Sequence, residues 1–134
     1  MAHYLDTSAL VKLVVAEAET PALRAWLESN SPVAVTSDLT RTELFRAVRR
    51  VDPSRSPHAR SVLDALIIIS LTSHIFNAAG LLDPVVFRSL DAVHLAAALE
   101  LGDDLDALVT YDDRMGEAAR ALGIRVLSPG HDHP

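Results

Sequence analysis

Four acidic residues, Asp6, Glu43, Asp91 and Asp112, sit where a carboxylate is hardest to explain as surface decoration. Asp6 ends an apolar run, Tyr4-Leu5, and precedes Thr7-Ser8, residue types that favour a helix start. Asp91 lies in a stretch apolar on nearly every side: Leu90, Ala92, Val93, Leu95, Ala96, Ala97, Ala98, Leu99. A helix apolar all round is buried, and an unpaired carboxylate there costs several kcal/mol even after relaxation. Asp112 follows the apolar run Ala107–Thr110, and Glu43 borders the stripe Leu39, Leu44, Ala47, Val48, Val51. Clustered carboxylates repel and raise one another's pKa, and a hard divalent cation resolves that conflict. Oxygen ligands without cysteine favour Mg²⁺ or Mn²⁺ over zinc. The chemistry expected of such a site is phosphodiester hydrolysis by a metal-activated water.

Each residue also has a plainer reading. Asp91 follows Ser89 by two positions and would gain from a helix N-terminus. Glu43 could pair with Arg46 or Arg50 at helical spacing. Asp112 is a common capping type, and Asp113 would then support the first turn.

The elements that must position these residues alternate between strand and helix. Strands are expected at 2–6, 33–36, 107–110 and 125–127. Helices are expected at 8–16, from Thr20-Pro21 to Ser29-Asn30, from Ser37 or Asp38 to Val51, and at 58–66, 74–79, 90–101 and 112–122. The run Ile67–Thr72 reads as a third strand or as a continuation of the helix before it. Residues 81–88 read as loop or ragged helix. This order predicts an α/β/α sandwich with a mostly parallel central sheet. In such sheets ligands bind at the carboxyl ends of the strands. Asp6 and Asp112 both fall at that edge, so they meet if their strands are parallel neighbours.

The length of 134 residues suits one domain, with the polar tail 128–134 frayed. The absence of cysteine fits a cytoplasmic setting. No basic region followed by a long apolar run is present, so neither a leader nor a membrane span is expected. The net charge of −6 opposes a polyanion partner, but its distribution does not. Residues 41–60 hold six arginines against Glu43 and Asp52, a local excess of +4, which leaves −10 on the rest. Arg46, Arg49 and Arg50 are the candidate phosphate contacts, since guanidinium groups bind phosphate in a bidentate manner.

The stretch Tyr4-Leu5-Asp6-Thr7-Ser8-Ala9-Leu10-Val11-Lys12-Leu13 resembles the opening of PIN-domain proteins, especially VapC toxins of bacterial toxin–antitoxin pairs. Three further blocks match in order: Thr40-Arg41-Thr42-Glu43-Leu44-Phe45-Arg46-Ala47, Ser89-Leu90-Asp91-Ala92-Val93-His94-Leu95-Ala96, and Val109-Thr110-Tyr111-Asp112-Asp113-Arg114. The resemblance implies a Mg²⁺- or Mn²⁺-dependent endoribonuclease of a type II toxin–antitoxin pair. Asp6, Glu43, Asp91 and Asp112 would be its acidic quartet. Asp6, Asp91 and Asp112 would be the metal ligands, Glu43 a possible fourth, and Asp113 a less certain one. Thr7, Ser8 and Thr110 would support the site. It also implies a VapB-type antitoxin, an RNA substrate and a homodimer.

His94 is read as a core histidine with a polar partner, and His131 and His133 as a short polar tract without a role. The alternative is a PIN-like binding protein without turnover. A dehalogenase-type phosphatase would need an aspartate where Ser8 stands, and a phosphoacceptor receiver would need a lysine near the last strands. Lys12 is the sole lysine.

Overall fold

The computed structural model describes residues 1–131. Five strands, β1 (Ala2–Leu5), β2 (Val33–Ser37), β3 (Ile67–Ile69), β4 (Leu105–Val109) and β5 (Val126–Leu127), form one sheet in the order β3-β2-β1-β4-β5. Every pairing is parallel. The seven helices among the described residues are α1 (Thr7–Val14), α2 (Thr20–Asn30), α3 (Asp38–Val51), α4 (Ser56–Asp64), α5 (Ser73–Gly80), α6 (Ser89–Leu99) and α7 (Asp113–Ala121).

Strand alternation sends neighbouring side chains into separate layers. Tyr4, Val35 and Leu108 join a core with Ile75 of α5, Ala92, Leu95 and Ala96 of α6, and Met115 and Ala119 of α7. Leu5 and Val109 join a second core with Leu10 of α1, Leu23 of α2, Leu44 and Val48 of α3, and Leu63 of α4. Helices therefore cover both faces, as a parallel sheet requires.

The isoleucine run is a strand, not a helical extension. β3 pairs with β2 through Val35–Ile67 and Ser37–Ile69, where β-branched side chains fit the pleat. Leu81–Arg88 contains no helix, as one of its two readings held. The α6 expectation needs correction. The helix runs Ser89–Leu99, with Ala92–Ala98 buried but Leu90 54% and Leu99 37% exposed. Its two ends reach past the packed layer, and Asp91 is accordingly only half-buried. Ser89 does not cap it; the cap position is Arg88, and its side chain makes no capping bond.

β1 is the central strand. Leu5 sits opposite Val109, and the Asp6 N–H donates to the Val109 carbonyl at 3.3 Å. That register carries Asp6 to the level of Thr110, at the carboxyl edge.

Candidate active site

Asp6 ends β1 and caps α1 itself, where the sequence suggested Thr7 or Ser8. Its Oδ1 accepts from the Ala9 N–H at 3.1 Å and from Ser8 Oγ at 2.6 Å. Its Oδ2 accepts from Thr110 Oγ1 at 2.5 Å. The side chain is 3% exposed. Burial raises its pKa above the ordinary aspartate range, against the bonds from Ser8, Thr110 and Ala9.

Thr110 ties this residue to the next acid. Its Oγ1 also accepts from the Asp112 N–H at 3.1 Å. Asp112 caps α7, its Oδ1 accepting from the N–H groups of Arg114 at 2.9 Å and Met115 at 3.2 Å. Ser8 Oγ accepts from the Tyr111 N–H at 2.9 Å, a second bridge between α1 and the end of β4. Parallel pairing of β1 with β4 thus brings Asp6 and Asp112 together. Asp112 is at once a cap and one of the candidate acids at this edge.

Glu43 reaches the same edge from α3, without a bond to Arg46 or Arg50. Its Oε1 accepts from Thr7 Oγ1 at 2.7 Å and lies 2.6 Å from His94 Nε2. Burial would raise its pKa, but the bonds from His94 and Thr7 prevail and hold it below the ordinary glutamate range. The polar partners of His94 are therefore Glu43 and Tyr4: its Nδ1 lies 2.8 Å from the Tyr4 hydroxyl, which lies 2.9 Å from Ser37 Oγ. Tyr4 and Ser37 are wholly buried and His94 is 2% exposed.

Asp91 lies on the first turn of α6. Burial raises its pKa, and so do the charges of Asp112, Glu43 and Asp6, while His94 opposes the rise. All four carboxylates thus share one electrostatic environment. The Asp91 carboxylate has no hydrogen-bond partner among the described residues. It lines a cavity of about 890 Å³ whose wall includes Phe87, Arg88 and Arg114.

No three His, Asp or Glu among the described residues converge closely enough to enclose a metal ion. The donor chemistry nevertheless fits a hard cation. Mg²⁺ characteristically takes one or two protein carboxylates and completes its octahedron with water and phosphate oxygens. Asp91 offers such an ion a carboxylate with no hydrogen-bond partner among the described residues.

The remaining candidates lie farther out. Arg46, Arg49 and Arg50 are exposed on α3. Arg46 and Arg50, three and seven residues from Glu43, share its side of the helix, whereas Arg49 lies off that side. Asp113 is exposed, its Oδ1 3.3 Å from His131 Nε2. Of the tail expected to fray, Ser128 Oγ donates to the Thr110 carbonyl at 2.5 Å, and the Pro129 carbonyl accepts from Tyr111 Oη at 2.7 Å. His133 lies outside the described residues.

The residues that sequence reasoning passed over are Tyr4 and Ser37, together with the role of His94. The signal for His94 was its place one turn after Asp91 in an otherwise apolar helix. Nothing in the spacing linked it to Glu43, 51 positions away.

The PIN domain family model matches residues 3–121. "Ribonuclease VapC47" of Mycobacterium tuberculosis (strain CDC 1551 / Oshkosh) is 45% identical over 131 residues, covering 95% of this chain and 96% of the relative. "Ribonuclease VapC46" of the H37Rv strain is 44% identical over 128 residues, with coverage of 96% and 98%. The crystal structure of M. tuberculosis VapC20, described as a sarcin-ricin loop cleaving toxin, superposes with TM-score 0.74 at 17% identity, covering 87% of this chain and 95% of that one. A toxin–antitoxin complex from Klebsiella pneumoniae gives TM-score 0.74 at 20% identity, with coverage of 98% and 100%. At those identities the two structures bear on the fold alone.

Proposed function

This chain belongs to the VapC-type PIN-domain family, and from that premise we propose that it is a metal-dependent endoribonuclease, the toxin of a type II toxin–antitoxin pair. The observation that supports the reading is that the charges of Asp112, Glu43 and Asp6 all act on Asp91, whose carboxylate has no hydrogen-bond partner among the described residues.

Each residue has a separate task. Asp91 would be the primary ligand for a Mg²⁺ or Mn²⁺ ion, with Asp6 and Asp112 as the further candidate carboxylates. When bound, the ion supplies positive charge to the phosphodiester oxygens and acidity to the attacking water. Thr110 and Ser8 hold Asp6 by donating to its two oxygens, so its lone pairs keep a fixed direction. The capping bonds from Arg114 and Met115 fix Asp112 in the same manner. Glu43, held ionised by its partners, is the acceptor placed to orient a water or take its proton. Asp113, exposed one residue beyond Asp112, would be at most an outer partner of such an ion.

Arg46 and Arg50 extend along α3 from Glu43 and contact flanking phosphates, with Arg49 contributing less. Arg88 and Arg114 flank Asp91 on the cavity side and have no ion pair among the described residues. The substrate is RNA, as the names of the relatives indicate for those proteins. The partner is a VapB-type antitoxin, and the working form is a homodimer in the cytoplasm. No described helix is long and apolar enough to cross a membrane.

The test is induced expression of wild type and Asp6→Asn, reading growth and total RNA. Arrest with discrete RNA fragments in wild type alone supports the proposal and identifies the RNA class. No arrest and no fragments from well-folded wild type points to the binding-protein alternative.

A further inference from the structure

We infer that His94 is the positioning residue for Glu43, holding one oxygen of its carboxylate in place through a buried chain that runs from Ser37 through Tyr4. This rests on the ribonuclease reading for its consequence, though not for its geometry.

Glu43 stands on α3, and glutamate is a flexible side chain with three rotatable bonds. A half-buried carboxylate beside three others is driven outward by repulsion. Oε1 is held against that by Thr7 Oγ1 at 2.7 Å and His94 Nε2 at 2.6 Å. Thr7 is half-buried on α1, so it shares the site's exposure. His94 is different: it is 2% exposed on α6, a helix locked by seven consecutive buried residues. Its ring cannot swing away, because Nδ1 is bound at 2.8 Å to the Tyr4 hydroxyl and the two rings meet edge to face at 5.9 Å. Tyr4 lies on the central strand, and its hydroxyl is bound in turn to Ser37 at the end of β2.

An ionised carboxylate only accepts, so Nε2 carries the proton shared with Glu43 and the ring donates to it. The chain therefore spans α3, α6, β1 and β2, with the Tyr4 hydroxyl donating to Ser37, and directs the Nε2 proton to Glu43. Its product is a Glu43 with Oε1 held by Thr7 and His94 and Oε2 without a bond among the described residues. Such supporting partners often matter to a site nearly as much as the groups they hold.

Two variants separate positioning from packing. His94→Gln keeps an amide N–H at the reach of Nε2, and His94→Asn keeps one only at the reach of Nδ1, toward Tyr4. Both remove the same ring, and urea unfolding of each corrects for stability. Asn should lower kcat for RNA cleavage by about 10–100-fold with KM little changed, and Gln should regain most of that loss. Equal losses in both variants, or a loss carried by KM, would overturn the assignment.

A second measurement needs neither RNA nor metal. Long-range ¹H–¹⁵N NMR of the metal-free protein should show His94 protonated at Nε2, with that signal displaced by Glu43→Gln and retained in Tyr4→Phe. An unprotonated Nε2 at neutral pH, or a signal indifferent to Glu43→Gln, overturns the inference. If wild type cleaves no RNA, the ribonuclease reading fails while the NMR result still decides the contact.

Discussion

Asp6 offers the sharpest separation of structural from chemical roles, through Asp6→Asn and Asp6→Ala compared in the metal-free protein. Both remove the same buried charge, so that contribution cancels between them. Asn keeps a carbonyl oxygen where Oδ1 caps α1 through the Ala9 N–H at 3.1 Å and meets Ser8 Oγ at 2.6 Å. Ala loses that cap, at about 0.5–2 kcal/mol. The wholly buried Thr110 hydroxyl, which donates to Oδ2, loses that acceptor in both variants, because the Asn amide nitrogen there only donates, so this cost cancels as well. Asp6→Ala should therefore be less stable than Asp6→Asn by about 0.5–2 kcal/mol, the contribution of the cap. With a urea slope near 2 kcal/mol/M, a central value of ~1 kcal/mol moves the midpoint by about 0.5 M. Asp6→Asn itself should be no less stable than wild type at pH 7, because burial penalises the charge it removes. The assay is equilibrium urea unfolding at pH 7 with chelator present. Equal midpoints for the two variants, or Asp6→Asn as the least stable of the three, would refute the reasoning.

Other outcomes follow from the same geometry. The folded state binds protons on Asp6 and Asp91 more tightly than the unfolded chain does. That part of the stability is present at acid pH and lost as pH rises from the ordinary aspartate value through the raised folded one. Urea unfolding across that range should show a smaller fall in Asp6→Asn than in wild type, and an equal fall would contradict the cause assigned to Asp6. Asp91→Asn should raise the metal-free Tm by a degree or two, for relief of about 0.5 kcal/mol of repulsion, and should shrink the Tm rise that Mn²⁺ produces in wild type. Tyr4→Phe should cost about 1–3 kcal/mol by leaving Ser37 and His94 without their shared hydroxyl, measurable by urea unfolding. Gly130 has φ +81, and a Cβ there would stand 2.7 Å from Ala22 Cβ. Gly130→Ala should therefore lift the tail from α2 and loosen the Ser128–Thr110 bond, seen as faster exchange of the His131 amide, which donates to the Ser128 carbonyl.

The fold was legible because its elements are punctuated locally. Pro21 and Pro32 bound α2 at its start and just past its end, and Gly102 and Gly123 stop α6 and α7 near their ends. The β-branched content of Ile67–Ile69 could not choose between strand and helix, because that choice depended on the free edge of β2, which is a tertiary fact. The acids at strand ends were legible for a similar reason: Asp6 and Asp112 sit at handovers that any parallel sheet brings to one edge. The α6 reading was too simple. Apolar periodicity reported the middle of the helix correctly, but not that its first turn emerges beside a cavity and half-exposes Asp91. The Glu43–His94–Tyr4–Ser37 chain was beyond reach. It joins four elements by side-chain bonds, and no local pattern records such a meeting.

Whether the four acids cut RNA with a divalent cation is decided by incubating purified wild type and Asp6→Asn with one end-labelled single-stranded RNA, in Mn²⁺ and in chelator. Discrete fragments should come from wild type in Mn²⁺ alone. Fragments of equal yield from Asp6→Asn, or from wild type in chelator, would contradict it.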